Sequence, residues 1–151
     1  MTPLDIRDLA AAMGALYDGP SHRIGQICTD TRSLSPGCLF VALTGENFDG
    51  HNYIQKALEQ GAAFAVSARP LDDDRVLVVR DTRQALLDVA GYYRGKLALP
   101  VVAITGSVGK TTTKEMAACV LGSAFSILKT PANLNNEVGL SQTILSLRPS
   151  H

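Results

Sequence analysis

Lys110 and Thr111 stand directly after a loop containing two glycines, in the stretch AITGSVGKTTTKEM (103–116). An ammonium and a hydroxyl side by side at the start of a helix suit a polyphosphate. The lysine reaches the outer phosphates, and the hydroxyl of Thr111 is placed to ligate Mg²⁺. Gly106 and Gly109 let backbone N–H groups turn toward an anion, and the helix that follows presents its positive end to it. Ser107, Val108 and Thr112 complete the donor set of the loop. One feature departs from the general phosphate-loop pattern: the glycine required five positions before Gly109 is replaced by Ile104. That argues against a generic kinase or GTPase and for a shorter loop, TGxxGKTT.

Three further groups carry chemistry. Thr29, Asp30, Thr31 and Arg32 form TDTR, where Arg32 suits either a diphosphate or a local pairing with Asp30. Gly45, Glu46, Asn47, Phe48, Asp49, Gly50 and His51 form a polar loop, GENFDGH, in which His51 reads equally as a ligand contact or as a neighbour of a helix cap. Asn133, Asn135 and Asn136 lie in TPANLNNEVGL (130–140), where amides offer uncharged hydrogen bonds to a ligand or serve only the turn. Cys28, Cys38 and Cys119 have no CxxC or His-spaced partner and read as reduced core thiols.

These residues need elements to position them. Thr2-Pro3 with Asp5 reads as a helix start, and Ile6, Leu9, Ala10 and Met13 give it one apolar face up to Gly14. IGQICTDTR and GCLFVAL are β-type runs, 53–60 a helix stopped by Gly61, and AAFAVSA and VLVV (76–79) buried strands. Asp81 caps a helix over 82–96. Beyond it the order is strand (PVVAIT), glycine loop, helix from Lys110 to Leu121, strand (FSIL), polar loop, and helix from Glu137 to Leu147. Alternation of this kind implies a parallel sheet. The expectation is therefore an α/β chain of two units, a small mixed α/β unit over 1–80 and the start of a parallel-sheet phosphate-loop unit over 81–151. Two parallel strands bury little, so the second unit reads as incomplete.

The 151 residues are 46% hydrophobic and 19% charged with a formal net charge of +0, a globular composition without the basic surface a nucleic acid needs. No apolar run has the length of a membrane span, and MTPLDIRDLAAAM lacks a basic leader, so a cytoplasmic protein is expected.

TGxxGKTT after an apolar strand resembles the ATP loop of the Mur ligase and folylpolyglutamate synthetase family. CTDTRSLSPGCLFVALTGENFDGHNYIQKALEQGA (28–62) resembles the UDP-sugar-binding domain of Mur ligases, and GKTTTKEM (109–116) and TPANLNNEVGL resemble the branch that adds D-alanyl-D-alanine. Ala132 stands where the family usually has glycine, and Leu140-Ser141 replaces its apolar-proline step. The resemblance implies a monomeric ligase using ATP and Mg²⁺, with UDP-N-acetylmuramoyl tripeptide and D-Ala-D-Ala as substrates. It assigns Lys110 and Thr111 to catalysis, Gly106 to Thr112 to ATP, and TDTR, GENFDGH and the asparagines to the UDP-muramoyl peptide. Other readings are a binding module without turnover and a folate-type polyglutamate ligase, which would share the ATP loop but lack TDTR with GENFDGH.

Overall fold

The computed structural model describes residues 1–131, 134 and 136–151. Two strand systems open the chain. β1 (Leu4–Asp5) pairs antiparallel with β2 (Arg23–Ile24), and between them lies α1 (Ile6–Met13). The helix is capped by Asp5, whose side chain accepts from the Arg7 N–H at 2.9 Å, and not from Thr2 as the sequence suggested. Leu4 is held extended by its pairing with Ile24, so the helix starts only after Asp5. Gly14 ends it at φ 68°, a left-handed conformation that suits glycine.

β3 (Ile27–Cys28), β4 (Leu39–Val41), β5 (Phe64–Ser67) and β6 (Val76–Val78) form one sheet in sequence order, with every pairing parallel. A short 3₁₀ turn (Thr31–Ser33) follows β3, and another (Gly50–Tyr53) leads into α2 (Ile54–Glu59). Gly61, at φ +101°, completes the stop that the sequence placed there. α3 (Thr82–Gly95) follows β6 after a three-residue link and is capped by Asp81, which accepts from Arg83 N–H (2.7 Å) and Gln84 N–H (3.1 Å).

Alternating residues of the sheet pack on two layers. Leu39, Val41, Val66 and Leu77 join Ile6, Leu9, Leu86, Val89 and Tyr93 in the larger core, under α1 and α3. Phe40, Ala42 and Ala65 face the other way and pack with Ile54, Ala57 and Leu58 of α2. Burial on both faces explains why these strands read as continuous apolar runs. Cys28 and Cys38 sit in this second core, as expected of core thiols, whereas Cys119 is exposed on a helix further along. Interaction with the neighbouring Cys38 thiol lowers Cys28 to about 7, and the same interaction together with burial raises Cys38.

The later chain contributes α4 (Lys110–Gly122) and α5 (Glu137–Leu145). α5 packs on α3, and Leu145 joins the larger core. The strands expected at PVVAIT and FSIL do not form. No ladder bonds join these segments among the described residues. Val101, Val102 and Phe125 are left 68%, 72% and 66% exposed. A β-type sequence becomes a strand only when neighbours take up its backbone groups, and these two segments lack such neighbours here. The chain is nonetheless a mixed α/β protein built on a parallel sheet.

Candidate functional site

Each loop leaving the carboxyl end of a parallel strand arrives at one edge of the sheet, where ligands of open α/β sheets bind. β3 delivers Thr29 to Arg32, β4 delivers Thr44 to His51, β5 delivers Ala68 and Arg69, and β6 delivers Arg80 to Arg83. The two stretches singled out in the sequence as substrate-binding, TDTR and GENFDGH, are thus brought to the same edge.

Within TDTR the polar groups are already engaged. Asp30 accepts from the Arg32 backbone at 2.9 Å and from its guanidinium at 3.0 and 2.6 Å, which holds its carboxyl near 2. The local pairing is the reading that the geometry favours for Arg32, even though its side chain is 89% exposed. Thr29 accepts a hydrogen bond from Gln142 Nε2 at 2.9 Å, tying the loop to α5.

GENFDGH is folded around Asp49. Thr44 and Asp49 form a one-residue antiparallel bridge, and Gly45 N–H donates to Phe48 O at 2.9 Å. Gly50 passes so close to the strand end that a Cβ there would lie 2.6 Å from Leu43 O, so no larger residue fits. Asp49 accepts from His51 N–H (3.0 Å), His51 Nδ1–H (2.7 Å) and Arg69 Nη2 (2.7 Å). Those bonds, the backbone one first, hold its carboxyl near 2. His51 Nε2 accepts the Ala68 N–H at 3.0 Å. With both ring nitrogens committed, His51 is the neutral Nδ1–H tautomer and links two loops. Glu46, Asn47 and Phe48 are exposed at the loop's tip.

Beside this hub lies a cleft of about 310 Å³. Thr44, His51 and Ala68 form one wall, and Arg80, Asp81, Thr82 and Arg83 at the head of α3 form the other. No motif in the sequence marked Ala68 or residues 80–83, because only the sheet brings them next to GENFDGH. The available signal was positional: both segments directly follow buried strands.

The glycine loop leads into α4 as expected. Gly106 has φ 152° and Gly109 φ 78°, and no side chain caps the helix, so its first-turn N–H groups are free for an acceptor. Lys110 Nζ donates to Gly106 O, which folds the lysine over the loop. Lys110, Thr111 and Thr112 are all exposed. This cradle fits a polyphosphate. For Mg²⁺ the loop offers the Thr111 hydroxyl, and no cluster of three or more His, Cys, Asp or Glu residues able to hold a metal occurs among the described residues. Further ligands would be phosphate oxygens and water, as is usual for this ion. Asn136 caps α5 by accepting from Gly139 N–H at 2.8 Å. Asn133 and Asn135 lie outside the described residues.

Comparison with known proteins gives the chain its family. Residues 23–94 match the Mur ligase family catalytic domain, and residues 104–151 match the Mur ligase middle domain. The chain belongs to the Mur ligase family. Among curated Mur ligases, it is 48% identical over 133 residues to a UDP-N-acetylmuramoyl-tripeptide–D-alanyl-D-alanine ligase of Synechocystis, covering 85% of this chain and 29% of that protein. It is 41% identical to the ligase of the same name in Escherichia coli over 100% of this chain and 34% of that protein. A crystal structure of MurF from Acinetobacter baumannii superimposes with a TM-score of 0.92 at 39% identity, over 100% of this chain and 34% of the other. MurF ligase from Thermotoga maritima, solved in complex with ADP, gives 0.75 at 37% identity over 80% and 28%. The Mur ligase chain described here thus spans about a third of the length of these relatives. No helix among its described residues is long and apolar enough to cross a membrane.

Proposed function

We propose that this chain is the substrate-collecting portion of an ATP-dependent amide ligase of peptidoglycan precursor synthesis, which joins D-Ala-D-Ala to UDP-N-acetylmuramoyl tripeptide. The observation that carries the reading is the convergence of TDTR and GENFDGH on one carboxyl edge of the parallel sheet, in a chain that superimposes along its whole length on a MurF structure. A folate-type ligase has no counterpart in that pairing of loops. In this reading residues 1–80 bind the UDP-muramoyl peptide and residues 81–151 open the ATP unit, with α3 shared between them by its packing on the sheet. The protein works as a monomer in the cytoplasm.

Amide formation needs an activated carboxyl. The tripeptide's terminal carboxylate attacks the γ-phosphate of ATP, forming the new C–O–P link of an acyl phosphate and releasing ADP. The amine of D-Ala-D-Ala then attacks the acyl carbon, loses a proton, and expels phosphate. The first step brings two anionic groups together, so charge neutralisation at the phosphate dominates its barrier. Lys110 supplies a positive charge beside the loop. The Gly106–Thr112 backbone and the N-terminus of α4 add N–H donors, which cost no reorganisation because they are fixed in place. Thr111 would hold Mg²⁺, whose role when bound is to draw charge from the phosphate oxygens.

The 151-residue chain, with one metal-binding side chain at its nucleotide loop, is expected to bind without turnover. Calorimetry should detect UDP-N-acetylmuramoyl tripeptide binding to the purified chain. The same preparation with ATP, Mg²⁺ and D-Ala-D-Ala should release no phosphate above background. A flat titration would overturn the substrate assignment, and steady phosphate release would overturn the division of labour.

A further inference from the structure

Most polar groups of the TDTR loop are spent on the loop itself. Asp30 and Arg32 hold each other, and the Ser33 hydroxyl donates to Asp30 O at 3.2 Å. Thr29 reaches outside it. Its Oγ1 accepts from Gln142 Nε2 at 2.9 Å, across 113 positions of sequence. Among the described residues two side-chain hydrogen bonds join residues 1–99 to residues 100–151, and the other, Tyr93 to Leu147 O, involves no loop of the carboxyl edge. An amide N–H aimed at Oγ1 fills a lone pair there, so the hydroxyl proton turns elsewhere. That proton has no acceptor among the described residues, and Thr29 is only half-buried, which leaves it open to an incoming group. Gln142 is held in place before anything binds. Its helix neighbours Ser141 and Leu145 are 1% and 7% exposed, α5 packs on α3, and Tyr93 holds the Leu147 carbonyl just beyond the helix.

We infer that Gln142 is a positioning residue for the UDP-muramoyl ligand: its amide presents the Thr29 hydroxyl as a donor to an acceptor oxygen of that ligand. The inference rests on the substrate reading above and gives α5, in the nucleotide-loop part of the chain, a share in the substrate loop. Thr29 touches the ligand, and Gln142 acts only through it. A donor oriented beforehand loses less freedom on association than a rotating hydroxyl does. α5 opens at Asn136, the cap that ends the asparagine loop, and Gln142 stands six residues further, about 9 Å along the axis. One helix thus runs from the asparagine loop to the TDTR loop. A bond that served only to dock α5 would hold equally well with its direction reversed, and that difference can be measured.

The test is a double-mutant cycle on the affinity of the purified chain for UDP-N-acetylmuramoyl tripeptide, with Q142M and Q142E placed in the wild-type and T29V backgrounds. Methionine keeps the length of the side chain and removes the amide. Glutamate accepts the Thr29 proton, which keeps a bond to α5 and reverses its direction. Each change is expected to weaken binding about threefold to tenfold in the wild-type background, the worth of one neutral hydrogen bond, and to change nothing in T29V. Urea midpoints are read on every variant. Q142E should stay close to wild type in midpoint while binding weakly, a combination that a purely structural tie does not give. Wild-type affinity in Q142E overturns the positioning role and leaves the substrate reading standing. Equal weakening in the T29V background shows that Gln142 acts without Thr29, through charge or through the fold, and overturns the role as well. Should Q142M unfold the chain, Q142E and its T29V counterpart decide. Failure of the wild-type chain to bind the tripeptide overturns the substrate reading and the role with it.

Discussion

Asp49 is the residue on which the carboxyl edge turns. It receives the backbone and ring of His51 and the guanidinium of Arg69, and so joins the loops after β4 and β5. Its value near 2 lies below the ordinary 3.9 or so of an aspartate in an unfolded chain. A carboxylate depressed on folding adds stability that is complete above the unfolded value and is lost as pH falls through the folded one. The window is therefore pH 4 down to 2. D49N is expected to be less stable than wild type at pH 7, with the gap closing as pH falls through that window. Urea midpoints at pH 7, 4, 3 and 2 would show it, and a gap of constant size would contradict the account. His51 shows where the sequence stopped short. Its residue type allowed ligand contact or capping, and only the distances to Asp49 and Ala68 decide for a tautomer held on both sides.

At the scale of elements, α3 does two jobs. Its head lines the cleft, and its body packs beneath the sheet, ending with Tyr93, which is 1% exposed. The Tyr93 hydroxyl donates to Leu147 O at 2.6 Å and accepts the Thr2 N–H at 2.9 Å, so one phenol ties the first residues to the segment after α5. Y93F keeps the ring and strands both backbone groups. With Thr2 exposed and Leu147 half-buried, it is expected to cost about 1 kcal/mol by denaturant midpoint, the net worth of hydrogen bonds that water can partly replace. No measurable change would show that water replaces the hydroxyl.

Much at this scale was legible beforehand. Asp81 before Thr82, Gly14 after Met13 and Gly61 after α2 each announced a helix end, because caps are local chemistry. The cap at Asp5 was missed, since pairing of Leu4 with Ile24 is a contact between residues 20 positions apart. Residues 80–83 were missed as site residues for the same reason: their proximity to His51 exists only in the sheet.

Across the whole molecule, the chain divides by how its apolar surface is satisfied. The parallel sheet is sandwiched between α2 on one face and α1 with α3 on the other. The segments flanking α4 are apolar by sequence and exposed in the structure, with Val101, Val102 and Phe125 all uncovered. Strand type was legible from their composition, but strand formation was not, because it depends on partners rather than propensity. α5 joins the sheet unit, with Leu145 in the core and Gln142 on Thr29 of the TDTR loop. One edge of one sheet thus gathers residues from Thr29 to Arg83, and that gathering is the central claim.

Nuclear magnetic resonance mapping of UDP-N-acetylmuramoyl tripeptide on the isotopically labelled 151-residue chain tests it most directly. Amide shifts should concentrate in residues 29–32, 44–51, 68–69 and 80–83, with little change in 105–112 until ATP is added. Shifts confined to the glycine loop, or scattered away from the carboxyl ends of β3 to β6, would contradict the account.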